Sequence, residues 1–107
     1  MIMRRKRRYV LVESSSSLDV SDRRNYDALR DGLCAFLGEP AFASLNLQFM
    51  RQVAQNAFIL RVSRGTEQDL ALALAFVKQV GERQIGMYTI STSGAIRALL
   101  EKAKRFY

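Results

Sequence analysis

Ser44-Leu-Asn-Leu-Gln-Phe-Met50 and, after a polar break, Ala57-Phe-Ile-Leu-Arg-Val-Ser63 read as two strands in immediate succession. In the first, Leu45, Leu47 and Phe49 alternate with Asn46, Gln48 and Met50, the period of a half-buried strand. The second sends Phe58, Leu60 and Val62 to one face and Ala57, Ile59 and Arg61 to the other, and Arg64-Gly65 closes it. Arg51 to Asn56 between them is a polar turn without an Asn-Gly pair, and the spacing predicts a hairpin.

Each side of this pair carries a helical pattern. Upstream, Ser21 and Asp22 are start signals, and Tyr26, Leu29, Leu33, Phe36 and Leu37 follow the 3.6-residue period until Gly38 and Pro40 end it. Cys34 lies beside that stripe as a small core or boundary residue, with no histidine to activate it. Downstream, Thr66 caps a second helix with Asp69 as an imperfect capping box, Leu70, Ala73, Leu74, Val77 and Val80 form its stripe, and Gly81 stops it. The outermost segments are strands again. Arg7 to Glu13 is apolar on both faces and belongs at the centre of a sheet, and Ser14 to Asp19 after it reads as a mobile loop. Arg83 to Thr92 is the last strand. It runs into Ser93-Gly94 and a final amphipathic helix burying Ile96, Leu99, Leu100 and Ala103, with Thr92 or Ser93 as its cap.

The order β-α-β-β-α-β is two split βαβ units. It predicts an α+β fold of the ferredoxin-like kind: a four-stranded antiparallel sheet with two helices on one face, in a single domain over residues 1–107. The extra C-terminal helix, placed over 94–107, is expected on the sheet's free face, on its edge, or against a partner protein. Met50 and Ile59, apolar and outward, would be that helix's cover or a partner surface.

Composition narrows the function. The 107 residues are 49% hydrophobic and 25% charged, ordinary for a globular domain. No apolar run approaches the roughly 18–20 residues of a membrane helix. Arg4 to Arg8 is followed only by Tyr9 to Val12 before Glu13, too short for the apolar region of a signal peptide, so a cytoplasmic location is expected. The single Cys34 agrees, since it excludes an intramolecular disulfide. With no histidine and one cysteine, a zinc site is not expected, and the commonest general base is missing. Asp19, Asp22, Asp27 and Asp31 read as helix-start and solvated residues, not as a metal site. No catalytic constellation and no protein-bound cofactor is predicted.

The net charge of +7 is unevenly spread. Residues 1–8 carry +5, from Arg4, Arg5, Lys6, Arg7 and Arg8. Residues 94–107 carry +3, from Arg97, Lys102, Lys104 and Arg105 against Glu101, and the middle 85 residues carry −1. Basic ends on a neutral body point to a polyanion. The strand-turn-helix junction at Ser93-Gly94, with Arg97 one turn on, adds a candidate anion site. Base stacking on an open sheet is disfavoured, because Ala57, Ile59 and Arg61 stand where aromatic stackers would be needed. A phosphate-loop enzyme is disfavoured because Ser14 to Asp19 has no glycine.

Three segments carry a family resemblance: Arg8-Tyr-Val-Leu-Val-Glu13, Asn56-Ala-Phe-Ile-Leu-Arg-Val-Ser-Arg64 and Ser93-Gly-Ala-Ile-Arg-Ala-Leu99. Together they resemble the small ferredoxin-like protein-subunit family of ribonuclease P in archaea and eukaryotes, its archaeal component 2 most of all. The family usually has Thr where this chain has Ala95. The resemblance implies a non-catalytic subunit that supports a catalytic RNA in removing 5′ leaders from precursor tRNA, with Mg2+ held by the RNA. It also implies a TIM-barrel-like protein partner, possible two-fold assembly of the pair, and no membrane contact. The RNA-contacting residues would be Arg4 to Arg8, Arg61 and Arg64, the Ser93-Gly94 turn with Arg97, and Lys102, Lys104 and Arg105, all as phosphate contacts. A ribosome-associated or other structured-RNA binder, or a protein-interaction module, are the readings that compete with it.

Overall fold

The computed structural model describes residues 6–107, so the expectations for Arg4 and Arg5 lie outside the described residues. Strand β1 (Arg7–Ser14) is followed by helix α1 (Arg23–Leu37), helix α2 (Glu39–Leu45), strands β2 (Gln48–Ala54) and β3 (Ala57–Ser63), and helix α3 (Glu67–Phe76). A short ribbon of β4 (Gln79–Val80) and β5 (Arg83–Gln84), strand β6 (Met87–Ser93) and helix α4 (Ile96–Phe106) complete the chain. The main sheet is antiparallel in the order β2-β3-β1-β6. Each crossover therefore skips one strand, which is the ferredoxin-like arrangement.

β1 is central as its apolar run requires, paired with β3 from Arg7↔Ser63 to Glu13↔Ala57 and with β6 from Tyr9↔Ser93 to Ser14↔Met87. Its alternation separates two cores. Val10 and Val12 join Phe58, Leu60 and Val62 under Leu29 and Leu33 of α1 and Leu70 and Leu74 of α3. Leu11 joins Ala57 and Ile59 on the other face, where Leu99 of α4 closes over them with Met50, Ile96 and Leu100 at the margin. The extra helix thus covers the free face of the sheet, and the outward apolar residues are its seat.

Several element boundaries differ from the sequence pattern. Pro40 does not end helical structure. Gly38, at φ +84°, closes α1 and donates its N–H to the Cys34 carbonyl at 2.8 Å, and Pro40 then sits in the first turn of α2, where its missing N–H costs nothing. Leu45 consequently belongs to a helix, Asn46 ends it in the left-handed region at φ 49°, and β2 starts only at Gln48. The expected turn from Arg51 is strand as far as Ala54, which leaves Gln55-Asn56 as the hairpin loop. Two register shifts allow this, bulging Met50 and Val53 toward α4.

Gln52 is tolerated within the sheet because its amide is fully used. It donates to the carbonyls of Leu18 (2.9 Å) and Ala54 (2.8 Å) and accepts from the Val20 N–H (3.0 Å). The same bonds, with Leu18 and Val20 buried, pin down the connector after β1 that the serine run marked as a loop. α3 stops at Phe76, short of Val80. Val77 turns extended against Gly32 of α1, and Gly81, at φ +63°, turns the β4–β5 ribbon instead of stopping a helix. β6 correspondingly begins at Met87, since Arg83 and Gln84 belong to that ribbon.

Candidate nucleic-acid interface

The pairing of β1 with β3 gathers the first basic group. Arg7 is opposite Ser63, Arg8 opposite Val62 and Arg61 opposite Tyr9, while the Arg64 N–H donates to the Lys6 carbonyl at 2.8 Å. Lys6, Arg7, Arg8, Arg61 and Arg64 thus share one end of the sheet. Three of their guanidinium nitrogens, Arg7 Nη1, Arg8 Nε and Arg61 Nε, are buried without a hydrogen-bond acceptor. Lys6 and Arg64 are exposed and Arg7, Arg8 and Arg61 are half-buried, so it is the accessible part of this charge that outside acceptors such as phosphate oxygens can reach. Arg61 makes one bond, donating from Nη2 to the Gln48 side chain. Arg30 of α1 lies beside Arg7 along the neighbouring cleft, its guanidinium 5.6 Å from the Phe42 ring centroid and 5.8 Å from that of Tyr26.

Arg8 is a partial exception. It points to the helix side of the sheet, where its Nε lies 3.7 Å from a Glu67 oxygen at the start of α3. Its Nη1 stands where a Cβ on Gly94 would approach to 3.3 Å. Gly94 therefore makes room for Arg8, and the carboxylate offsets part of that arginine's charge.

The junction before α4 is built differently from the expected cap. The N-cap position is Ala95, which has no capping side chain, and Ser93 Oγ accepts from the Ala95 N–H at 3.1 Å in a local turn. The helix starts at Ile96, because Ser93 is still paired with Tyr9 in the sheet. The other expected cap also fails to form. Thr66 donates its hydroxyl to the Ser63 carbonyl at 2.7 Å, and Glu67, not Asp69, takes the nearby Gly65 N–H.

The cations of α4 divide between two sides. Arg97 and Lys104 face a groove against β2, where Arg51, Gln52 and Val53 form the opposite wall and Leu100, Glu101, Ala103 and Tyr107 the remaining lining. Lys102 turns the other way and donates to Ser91 Oγ of β6 at 3.2 Å. Arg105 is exposed. Tyr107 fastens the helix end, its hydroxyl donating to Glu13 Oε1 of β1 at 2.6 Å. Burial, and after it the bond to the Glu13 carboxylate, pushes the Tyr107 phenol up to about 12. The same carboxylate, close to the Tyr88 phenol, raises that group as well.

A family model described as Rpp14/Pop5 family matches residues 8–104. This chain belongs to the Rpp14/Pop5 family. Among curated relatives, ribonuclease P protein component 2 of Methanoculleus marisnigri is 33% identical over 103 residues, covering 95% of this chain and 64% of the relative. The protein of the same name from Methanosphaerula palustris is 35% identical over 106 residues, covering 96% and 64%. The chain thus spans somewhat under two thirds of the length of these two relatives. In fold it is similar to a chain of the yeast ribonuclease MRP solved by cryo-electron microscopy, with TM-score 0.68 at 10% identity, covering 99% of this chain and 97% of that one.

Two residues of this Rpp14/Pop5 chain beside the α4 groove escaped the sequence pattern. Arg51 was hidden by the apparent end of β2 at Met50, and only the bulges bring it to the α4 side. Tyr107 lies past the last periodic apolar position of α4, so no local signal marks its bond to a carboxylate 94 residues away.

Proposed function

We propose that this chain is a non-catalytic protein subunit of ribonuclease P, binding the RNA that removes 5′ leaders from precursor tRNA. The observation that carries the reading is the basic sheet end, where the pairing of β1 with β3 gathers Lys6, Arg7, Arg61 and Arg64, exposed or half-buried, in a chain of the Rpp14/Pop5 family. Lys6, Arg7, Arg61 and Arg64 there are phosphate contacts that hold register without reading sequence. Arg4 and Arg5, the neighbouring basic residues in sequence, are further phosphate contacts in this reading, and Lys102 and Arg105 extend the basic surface across α4. The Ser93-Gly94 turn acts mainly by making room for Arg8. Divalent ions belong to the RNA in this reading, and the setting is the cytoplasm.

A protein partner of the TIM-barrel type, with two-fold assembly of the pair, completes the proposal. Its support is α3, whose run from Leu70 to Phe76 is apolar all round although Leu72 and Phe76 are exposed, with Phe76 stacked on exposed Phe36 at 5.5 Å.

The test is to recover the protein from its native lysate at moderate salt and sequence the RNA that accompanies it. One strongly enriched RNA that cleaves precursor tRNA is the expected result. Enrichment of ribosomal RNA would move the assignment to ribosome association, and a stoichiometric protein partner without RNA would move it to an interaction module.

A further inference from the structure

We propose that the groove between α4 and the edge strand β2 holds a short unpaired stretch of RNA, an inference that rests on the reading of the chain as an RNA-binding subunit. With α1 and α3 on one face of the sheet and α4 on the other, neither face is open to bases. The edges of the sheet remain, and along β2, one of its two edge strands, a channel runs against α4. Arg51 stands on one wall, and Arg97 and Lys104 on the other, two helical turns or about 10 Å apart. Among the described residues none of the three is in an ion pair or a side-chain hydrogen bond, and Glu101 is the one acid in the lining.

The lining between the cations distinguishes the occupant. Val53 and Leu100 are apolar and partly exposed, and a paired RNA, which presents phosphates outward, would leave them uncovered. Unpaired nucleotides offer phosphates to the cations and flat base faces to the apolar surface. Tyr107 supplies a matching aromatic face at one end of the channel. Its hydroxyl is held by Glu13, so the ring is already fixed while 39% of the residue stays accessible. An acidic peptide would satisfy the cations but gains nothing from that ring.

The test is fluorescence anisotropy of the full chain with a labelled ten-nucleotide oligouridylate, against an RNA duplex of equal length. Tighter binding of the oligouridylate is expected. Arg51→Ala with Lys104→Ala should lower its salt slope by roughly 1.4, the sum for two single-strand phosphates. Tyr107→Leu should weaken it about fivefold or more, and Tyr107→Phe, which restores the ring, should recover the affinity. Thermal unfolding of each variant separates a binding defect from a folding defect. Equal binding of duplex and oligouridylate, equal displacement by polyglutamate, or affinity unmoved in the folded variants would overturn the proposal. If the duplex binds and only Arg61→Ala with Arg64→Ala abolishes it, the groove falls while RNA binding stands. If no RNA binds, both fall.

Discussion

Tyr107 and Glu13 form a contact whose pH dependence has a definite sign. The neutral phenol is favoured by the fold, so the group's stabilisation is fully present below its unfolded pKa of roughly 10 and is lost as pH rises toward about 12. Absorbance titration of the tyrosines should show a late component near 12 that Tyr107→Phe removes. Glu13→Gln should return that component only part of the way, because burial, the larger cause, is unchanged. The denaturation midpoint of the native chain should decline more steeply between pH 10 and 12 than that of Tyr107→Phe. The arginines also differ individually. Arg61 has only a neutral side-chain partner, Gln48, whereas Arg8 is already offset by Glu67. Arg61→Ala should therefore weaken structured-RNA binding roughly fivefold near 0.1 M salt, and Arg8→Ala distinctly less, as a filter-binding titration would show.

The helices pack through a few decisive contacts. Leu99 is the fully buried large residue by which α4 holds to Leu11 and Ile59, so Leu99→Ala should cost about 2–4 kcal/mol in denaturant unfolding. α1 meets the end of α3 at Gly32, where an added Cβ would come to 3.0 Å from Val77 Cγ1. Alanine there gains about 1 kcal/mol in helix propensity yet forces a stiff β-branched neighbour, and we expect a net loss of about 1 kcal/mol. Adding Val77→Ala should recover part of that loss, giving a double-mutant coupling of the sign that a steric contact requires.

These elements also show what a linear reading can reach. The four main strands, the two faces of β3 and the central place of β1 were legible, because burial on one or both faces leaves a period in the residues themselves. Pro40 misled because the same residue stops one helix and opens the next, and only the αL turn at Asn46 decides where α2 ends. Gln52 looked like turn material because its polarity is local and its three partners are not. Within the site, the gathering of Arg7, Arg8, Arg61 and Arg64 follows from strand register, and the basic residues themselves were visible in the sequence. Arg51 joins Arg97 and Lys104 only through bulges, which leave no periodic signature.

At the scale of the whole molecule, charge and connectivity act together. The basic sheet end is a source of positive potential and Arg4 and Arg5 add two charges beside it in sequence, so deleting residues 1–6, which removes Arg4, Arg5 and Lys6 but spares β1, should reduce the salt slope of RNA binding by roughly 0.7–0.9 for each phosphate no longer neutralised. An unchanged slope would show that the first six residues take no part. The placement of β1 has a consequence for synthesis. It is synthesised before both of its neighbours, residues 57–63 and 87–93, so Tyr9 to Val12 must wait as an unpaired apolar segment until those strands are made. Long-range pairing of this kind is slow to form and open to wrong partners. The arginines before that segment and the serines after it are charged and polar flanks of the sort that restrain aggregation. The residues that would grip RNA in the finished fold are therefore also the ones that keep the nascent strand dispersed until its partners arrive.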